Sequence, residues 1–314
     1  MYFPYLRGRQ YELLAIRELL ENNLLSSKVL PIIEPVKASS TLILSINAFS
    51  VADRDIGIVL NPAVGSLEKD IIKEKNISIK EKWGYALSLK NVVKCFHIGS
   101  DIPHSLNEIQ NNRTNMQKIG LICTTTDGIR LFEKISPSVN PLFTLIPDES
   151  MFRRRIRTNR VMFADRFEKQ TRNTDYADRI DEDFSADHLF YKPDGYIGFS
   201  DYSVIGSDYS ETGFAPYAVA IHIVYFDRDD NLRIHHFVSD TNEDITDPAG
   251  KFEEAVRKLV EWNETQKLNT LGIKRLTEAY KNKKYPGLGT VKKYSIMHHL
   301  ELIGAYLDNE VNTQ

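Results

Sequence analysis

Polar side chains recur at the tips of short apolar runs along this chain: Glu34 and Lys37, Asn61, His97 and Asp101, Thr124 to Thr126, Asp148 and Glu149, Asp165 and Arg166, Asp201 and Tyr202. Carboxylates, an imidazole and cationic groups brought to one place can move protons or hold a divalent metal. Glu34 leads the set, because it stands between Ile33 and Pro35 at the end of an apolar stretch, where burial alone raises a carboxyl pKa. Lys37 is its nearest basic neighbour in the sequence, and an ion pair between the two is the competing structural reading. His97 follows Cys95-Phe96 and reads as a general base or metal ligand, or else as a hydrogen-bonded core histidine. Each tip also has a plain reading as a helix cap or loop residue.

A second feature is charge. Arg153, Arg154, Arg155, Arg157, Arg160, Arg166, Lys169 and Arg172 precede an acidic stretch running from Asp175 to Asp187. Clustered guanidinium groups grip phosphates, whereas mutual neutralisation on a solvated face is the alternative. The segment from Gly195 to Tyr217 interleaves glycines, aromatics and carboxylates, so that its tyrosines can stack on a base or sugar ring or simply build an ordered loop. The pairs His235-His236 and His298-His299 diverge on any strand or helix and make no chelate unaided. The chain has neither a GxSxG elbow nor an HExxH pair, which removes serine hydrolase and zincin readings. The catalytic candidates are therefore Glu34, Lys37, His97, Asp165 and Asp201, and the substrate-binding candidates Asn61, Arg153, Arg154, Arg155, Arg157, Arg166 and Tyr202. A divalent metal is the cofactor such carboxylates would take, with no ligand set specified.

The elements that must position these residues follow from hydropathy. Short, β-branched apolar runs at 29–37, 55–62, 91–99, 118–126, 142–149, 160–168, 194–205 and 217–227 alternate with helical stretches at 11–25, 66–75, 104–117 and 128–135. Nearly continuous apolar strands separated by helices predict a parallel sheet covered on both faces. Eight units, with no GxGxxG or GxxxxGK[ST] loop, favour an α/β fold of the TIM-type (β/α)8 kind over an open nucleotide-binding sheet. On that fold Glu34, Asn61, His97, Asp165 and Asp201 are expected to line one cleft at the carboxyl ends of the strands. A further strand at 232–240, joined through Asp227-Arg-Asp-Asp-Asn231, makes an extra β-hairpin, and 251–265, 269–282 and 292–309 make a C-terminal helical extension. The expected division is a barrel domain over 1–250 and a helical extension over 251–314.

Composition limits the partners. With 40 Lys and Arg against 43 Asp and Glu in 314 residues, the net charge of −3 gives no global attraction to nucleic acid. The longest apolar run, Tyr217 to Phe226, is ten residues, against the ~20 that span a bilayer, so no membrane partner is expected. The amino terminus lacks the apolar core of a signal peptide. Cys95 and Cys123 lie in separate apolar segments without metal spacing, as small buried hydrophobes in a reducing cytoplasm.

The opening Met1-Tyr-Phe-Pro-Tyr-Leu-Arg-Gly-Arg-Gln10, with Glu12-Leu-Leu and then Leu30-Pro-Ile-Ile-Glu-Pro35, resembles the phage-type Beta protein family and its bacterial relatives. Gly198-Phe-Ser-Asp-Tyr202, His236-Phe-Val-Ser-Asp240 and Ala249-Gly-Lys-Phe252 are similar to a bacterial branch of that group. The resemblance spans nearly the whole chain and implies a barrel-like fold, a gene neighbour of restriction-nuclease fold and a role in anti-phage defence. It carries over no catalytic residues. Two functions stay open: a metal-dependent phosphodiesterase or nuclease-like hydrolase acting on a nucleotide or nucleic acid, and a non-catalytic binding partner of the companion nuclease.

Overall fold

The computed structural model describes residues 1–72, 77–99, 118–137, 139–210 and 216–312. It divides into two compact units, one of Met1–Glu21, Ser27–Ala164 and Asp187–Asp201, the other of Asn22–Ser26, Asp165–Ala186 and Tyr202–Gln314. The β-hairpin and the helical tail both fall within the second unit.

The first unit is a parallel eight-stranded barrel. Its strands are β1 (Tyr5–Leu6), β2 (Ile32–Ile33), β3 (Ile56–Val59), β4 (Val92–His97), β5 (Ile119–Ile122), β6 (Phe143–Ile146), β7 (Arg160–Phe163) and β9 (Gly198–Ser200), paired in that order. The register runs Tyr5 against Ile32, Ile32 against Gly57 and Gly57 against Val93 on one side, and Val161 against Gly198 on the other. The amino-terminal segment closes the ring. It accepts from Leu30 N just before β2 and from Ile32 N on β2, while Phe3 N and Tyr5 N donate to Phe199 O and Asp201 O, each at 2.8 Å. Because both faces of such a sheet are covered, every residue of β3, β5 and β6 is buried, which is why these strands read as unbroken apolar runs.

Helices cover the barrel for local reasons. In α1 (Gln10–Glu21), Leu13, Ala15, Ile16, Leu19 and Leu20 share the buried stripe of a 3.6-residue period. Ser39 caps α2 (Ser40–Val51) by accepting from Leu42 N, and Thr125 caps α5 (Thr126–Ile135) by accepting from Gly128 N. Between them come α3 (Leu67–Ile72) and α4 (Ile77–Ser88), and α6 (Ser150–Arg155) and α7 (Asp187–Phe190) follow. The expected helix at 104–117, and Asp101 with it, lie outside the described residues.

The expected strand at 217–227 is not a barrel strand. As β10 (Ala220–Phe226) it pairs antiparallel with β11 (Leu232–Val238), which pairs in turn with β8 (Asp181–Ser185). Its place in the barrel is taken by Tyr5–Leu6, too short to show an apolar run. The antiparallel sheet shares an apolar core with α8 (Pro248–Gln266), α9 (Leu271–Lys281) and α10 (Leu288–Asn312), built from Ile221, Ile223, Phe237, Val256, Leu259 and Leu276 among others. Among the described residues no helix is long and apolar enough to cross a membrane.

Candidate functional site

At the carboxyl ends of the first four barrel strands, four side chains converge. Tyr5 comes from β1, Arg7 from the turn after it, Glu34 from the tip of β2 and His97 from the last position of β4. Gly8 makes the approach of the first two tips feasible: its φ is +65°, and a Cβ there would stand 2.9 Å from Ile33 Cγ2.

Glu34 is fully buried and satisfied from several sides. The Arg7 guanidinium donates to Oε2 and the Tyr5 hydroxyl to the same oxygen at 3.0 Å, while Ala63 N donates to Oε1 at 2.7 Å. His97 Nε2 lies 3.5 Å from Oε1 and 2.9 Å from the Tyr5 hydroxyl. Since the phenol gives its only proton to Glu34, it must accept from His97, which places the imidazole proton on Nε2. Among the described residues Nδ1 makes no hydrogen bond, and the His97 side chain keeps 27 % of its surface exposed. Asn61 fixes the backbone beneath it, donating from Nδ2 to His97 O at 2.8 Å and accepting from His97 N at 2.9 Å.

Two expectations about Glu34 are corrected. Lys37 is exposed, and the cation that pairs with the carboxylate is Arg7. Burial does push the Glu34 carboxyl up, but the hydrogen bond from His97, the charges of Arg7 and His97 and the Ala63 N–H together outweigh it. They hold the group at about 2. Glu34 is therefore a permanent carboxylate and not a proton donor.

The other candidates have separate engagements. Asp201 is buried at the tip of β9 and accepts from the Tyr2 hydroxyl at 2.6 Å. Asp165 belongs to the second unit, where Phe167 N and Ser207 N donate to its two oxygens at 3.1 and 2.7 Å and make it a turn-fixing residue. Arg166 and Tyr202 belong to that unit too; Tyr202 caps the short 3-10 turn Ser203–Ile205. Of the five residues expected in one cleft, Glu34 and His97 are in contact and Asn61 holds the His97 backbone, while Asp201 stands at the tip of β9, where its carbonyl accepts from Tyr5 N. Of the arginines, Arg153 pairs with Asp148 at 2.7 Å and Arg155 with Glu133 at 2.8 Å. Arg157 donates to Arg154 O, and the Arg154 side chain is exposed. Among the described residues no group of three or more His, Cys, Asp or Glu side chains is placed to hold a metal ion.

Tyr5 and Arg7 escape a reading based on strand tips, because nothing marks residues 5–6 as a strand. The signal that was present is Arg7-Gly8, a cation beside a residue free to adopt positive φ. Comparison of the chain with family models, curated proteins and solved structures finds no match in any of the three.

Proposed function

We propose that the barrel mouth is an acid–base site that hydrolyses a phosphate ester of a nucleotide or nucleic acid, as part of an anti-phage defence system of the kind the sequence resemblance implies. The observation that carries this reading is the imidazole of His97, tied on Nε2 through Tyr5 to a permanent carboxylate and open on Nδ1. His97 Nδ1 takes the proton from the attacking water as its oxygen bonds to phosphorus, and the imidazolium gives that proton to the departing alkoxide oxygen as the P–O ester bond breaks. Glu34, kept anionic by Arg7, holds the ring in one tautomer and stabilises the imidazolium that forms. The exposed ammonium of Lys37, on the loop leaving the same strand tip, supplies positive charge for the phosphoryl oxygens. A route of this kind needs no bound metal.

The test is hydrolysis of a labelled single-stranded oligonucleotide and of a cyclic dinucleotide, each with and without EDTA. Turnover that persists in EDTA and falls by about 10²-fold or more in His97→Gln supports the reading. Turnover unchanged by that substitution, or none with either substrate, sinks it. A second reading, a non-catalytic partner of the companion nuclease, is favoured by the complete internal satisfaction of Glu34, which suits a structural strut. A stable complex with that nuclease, formed equally by wild type and His97→Gln and without turnover, would select it.

A further inference from the structure

Two sequence features are not absorbed by the barrel mouth: the end of the arginine-rich stretch and the end of the glycine and tyrosine segment. They meet in the second unit. Thr171, Arg172, Asn173, Thr174, Pro216, Tyr217 and Asn242 line a cavity of about 760 Å³, within the ~300–1,000 Å³ of small-molecule sites.

Hydrogen bonds assemble this cavity from three chain segments. Asn173 Nδ2 donates to Ala218 O at 2.9 Å, which pins the segment bearing Arg172 to the one bearing Tyr217. Ser239 N donates to Val219 O and Val219 N to Ser239 Oγ, at 2.9 and 3.1 Å, and Ser239 Oγ donates to Thr241 O at 3.1 Å, which brings Asn242 alongside. The fold holds the walls, and the functional ends of two side chains are left over. The Arg172 guanidinium makes no ion pair or hydrogen bond among the described residues; the nearby Asp175 carboxylate is occupied by Arg172 N at 3.0 Å and Thr174 Oγ1 at 3.2 Å. Tyr217 keeps 56 % of its surface exposed, a large ring left at a cavity wall.

We propose that this cavity binds a mononucleotide, with the base stacked on Tyr217, the phosphates on Arg172, and the Asn242 amide available to the base edge or the ribose. A guanidinium recognises phosphate oxygens bidentately, an aromatic ring takes any base by its π-face, and an amide reads donor and acceptor groups together. A polymer is the poorer fit. A strand needs a continuous cationic track, whereas Arg172 is the one cationic side chain among the described residues that line the cavity.

The probe is ATP, with AMP, adenosine and pyrophosphate as partial ligands, measured by titration calorimetry on the full chain. ATP and AMP are expected to bind. Arg172→Gln should weaken ATP by about tenfold or more and bring it level with adenosine, and Tyr217→Ala should weaken ATP by a similar factor while Tyr217→Phe does not. Both side chains are exposed, so the variants test binding without a folding penalty. No ATP binding at millimolar concentration, or binding unchanged in Arg172→Gln, overturns the proposal. Binding lost in His97→Gln but kept in Arg172→Gln would place the nucleotide at the barrel mouth and also overturns it, leaving the acid–base reading intact. Pyrophosphate binding as tightly as ATP, with Tyr217→Ala silent, overturns it by removing the base.

Discussion

The Arg7 guanidinium and the Glu34 carboxylate form an ion pair across the tips of the first two barrel strands, 27 positions apart in sequence, with side chains 12 % and 0 % exposed. A carboxylate this deep is tolerable only while its partner is present. Arg7→Met leaves an uncompensated buried anion and is expected to cost about 3–5 kcal/mol in urea unfolding. Glu34→Gln keeps the shape but strands Arg7, so it too is destabilising. The double variant should recover part of the summed loss, and strict additivity of the two single changes would refute the pairing.

The same pair sets an acid limit. Glu34 falls from an ordinary value of 4.5 to about 2, so the folded state binds its proton later than the unfolded chain does. Its contribution is fully present above pH 4.5 and is lost as pH falls through the window down to about 2. It amounts to about 3 kcal/mol. Urea midpoints for Glu34→Gln followed from pH 6 to pH 2.5 should lose this component of the slope, and a slope equal to wild type would remove the carboxylate from the account.

A second titration acts at higher pH. His298 is fully buried: its Nε2 donates to Val224 O at 2.6 Å and its Nδ1 accepts from Thr270 Oγ1 at 2.8 Å, which requires the neutral ring. Burial lowers its pKa from 6.5 to about 4, and His299 beside it, through burial and the neighbouring His298, to about 3. The unfolded chain therefore takes up these protons first, and stability falls as pH drops from 6.5 towards 4. Thermal scans at pH 7.5, 6 and 5 should show a decline in melting temperature. Replacing His298 by Gln, which keeps an acceptor and a donor but no titration, should flatten part of it.

The barrel strands were legible where burial on both faces makes an apolar run, as in Ile56–Val59 and Phe143–Ile146. Tyr217–Phe226 imitates that signal, yet His222 between buried Ile221 and Ile223 already has the period-two alternation of a strand whose two faces differ, its ring lying against Phe167, Tyr176 and His236. At the site, Glu34 and His97 stand out by type and position, but their partners do not. Tyr5 and Arg7 reach them only through the register of β1 on β2, and register is set by the closed sheet. For the same reason the direction of the Glu34 shift was illegible, since burial was visible in the sequence and Arg7, His97 and Ala63 as its neighbours were not.

Packing inside the barrel gives the last test. Gly120 on β5 leaves room for the Phe143 ring on β6; a Cβ there would stand 2.6 Å from the ring and 3.0 Å from Cys95 Sγ. Every residue of β5 and β6 is buried, so the ring has little freedom to retreat. Gly120→Ala is expected to cost about 1–3 kcal/mol by overpacking, and Phe143→Leu in the same chain to restore part of it. The thiols report the outcome without a functional assay. Burial pushes Cys95 well up and Cys123 up to about 12, so in the native protein neither forms the reactive thiolate. Both should react with a disulfide reagent only as fast as the barrel opens, and Gly120→Ala should accelerate that labelling in step with its lost stability. Reaction of Cys95 within seconds in the wild-type protein, or an unaltered labelling rate in Gly120→Ala, would show that this layer of the barrel is not packed as described.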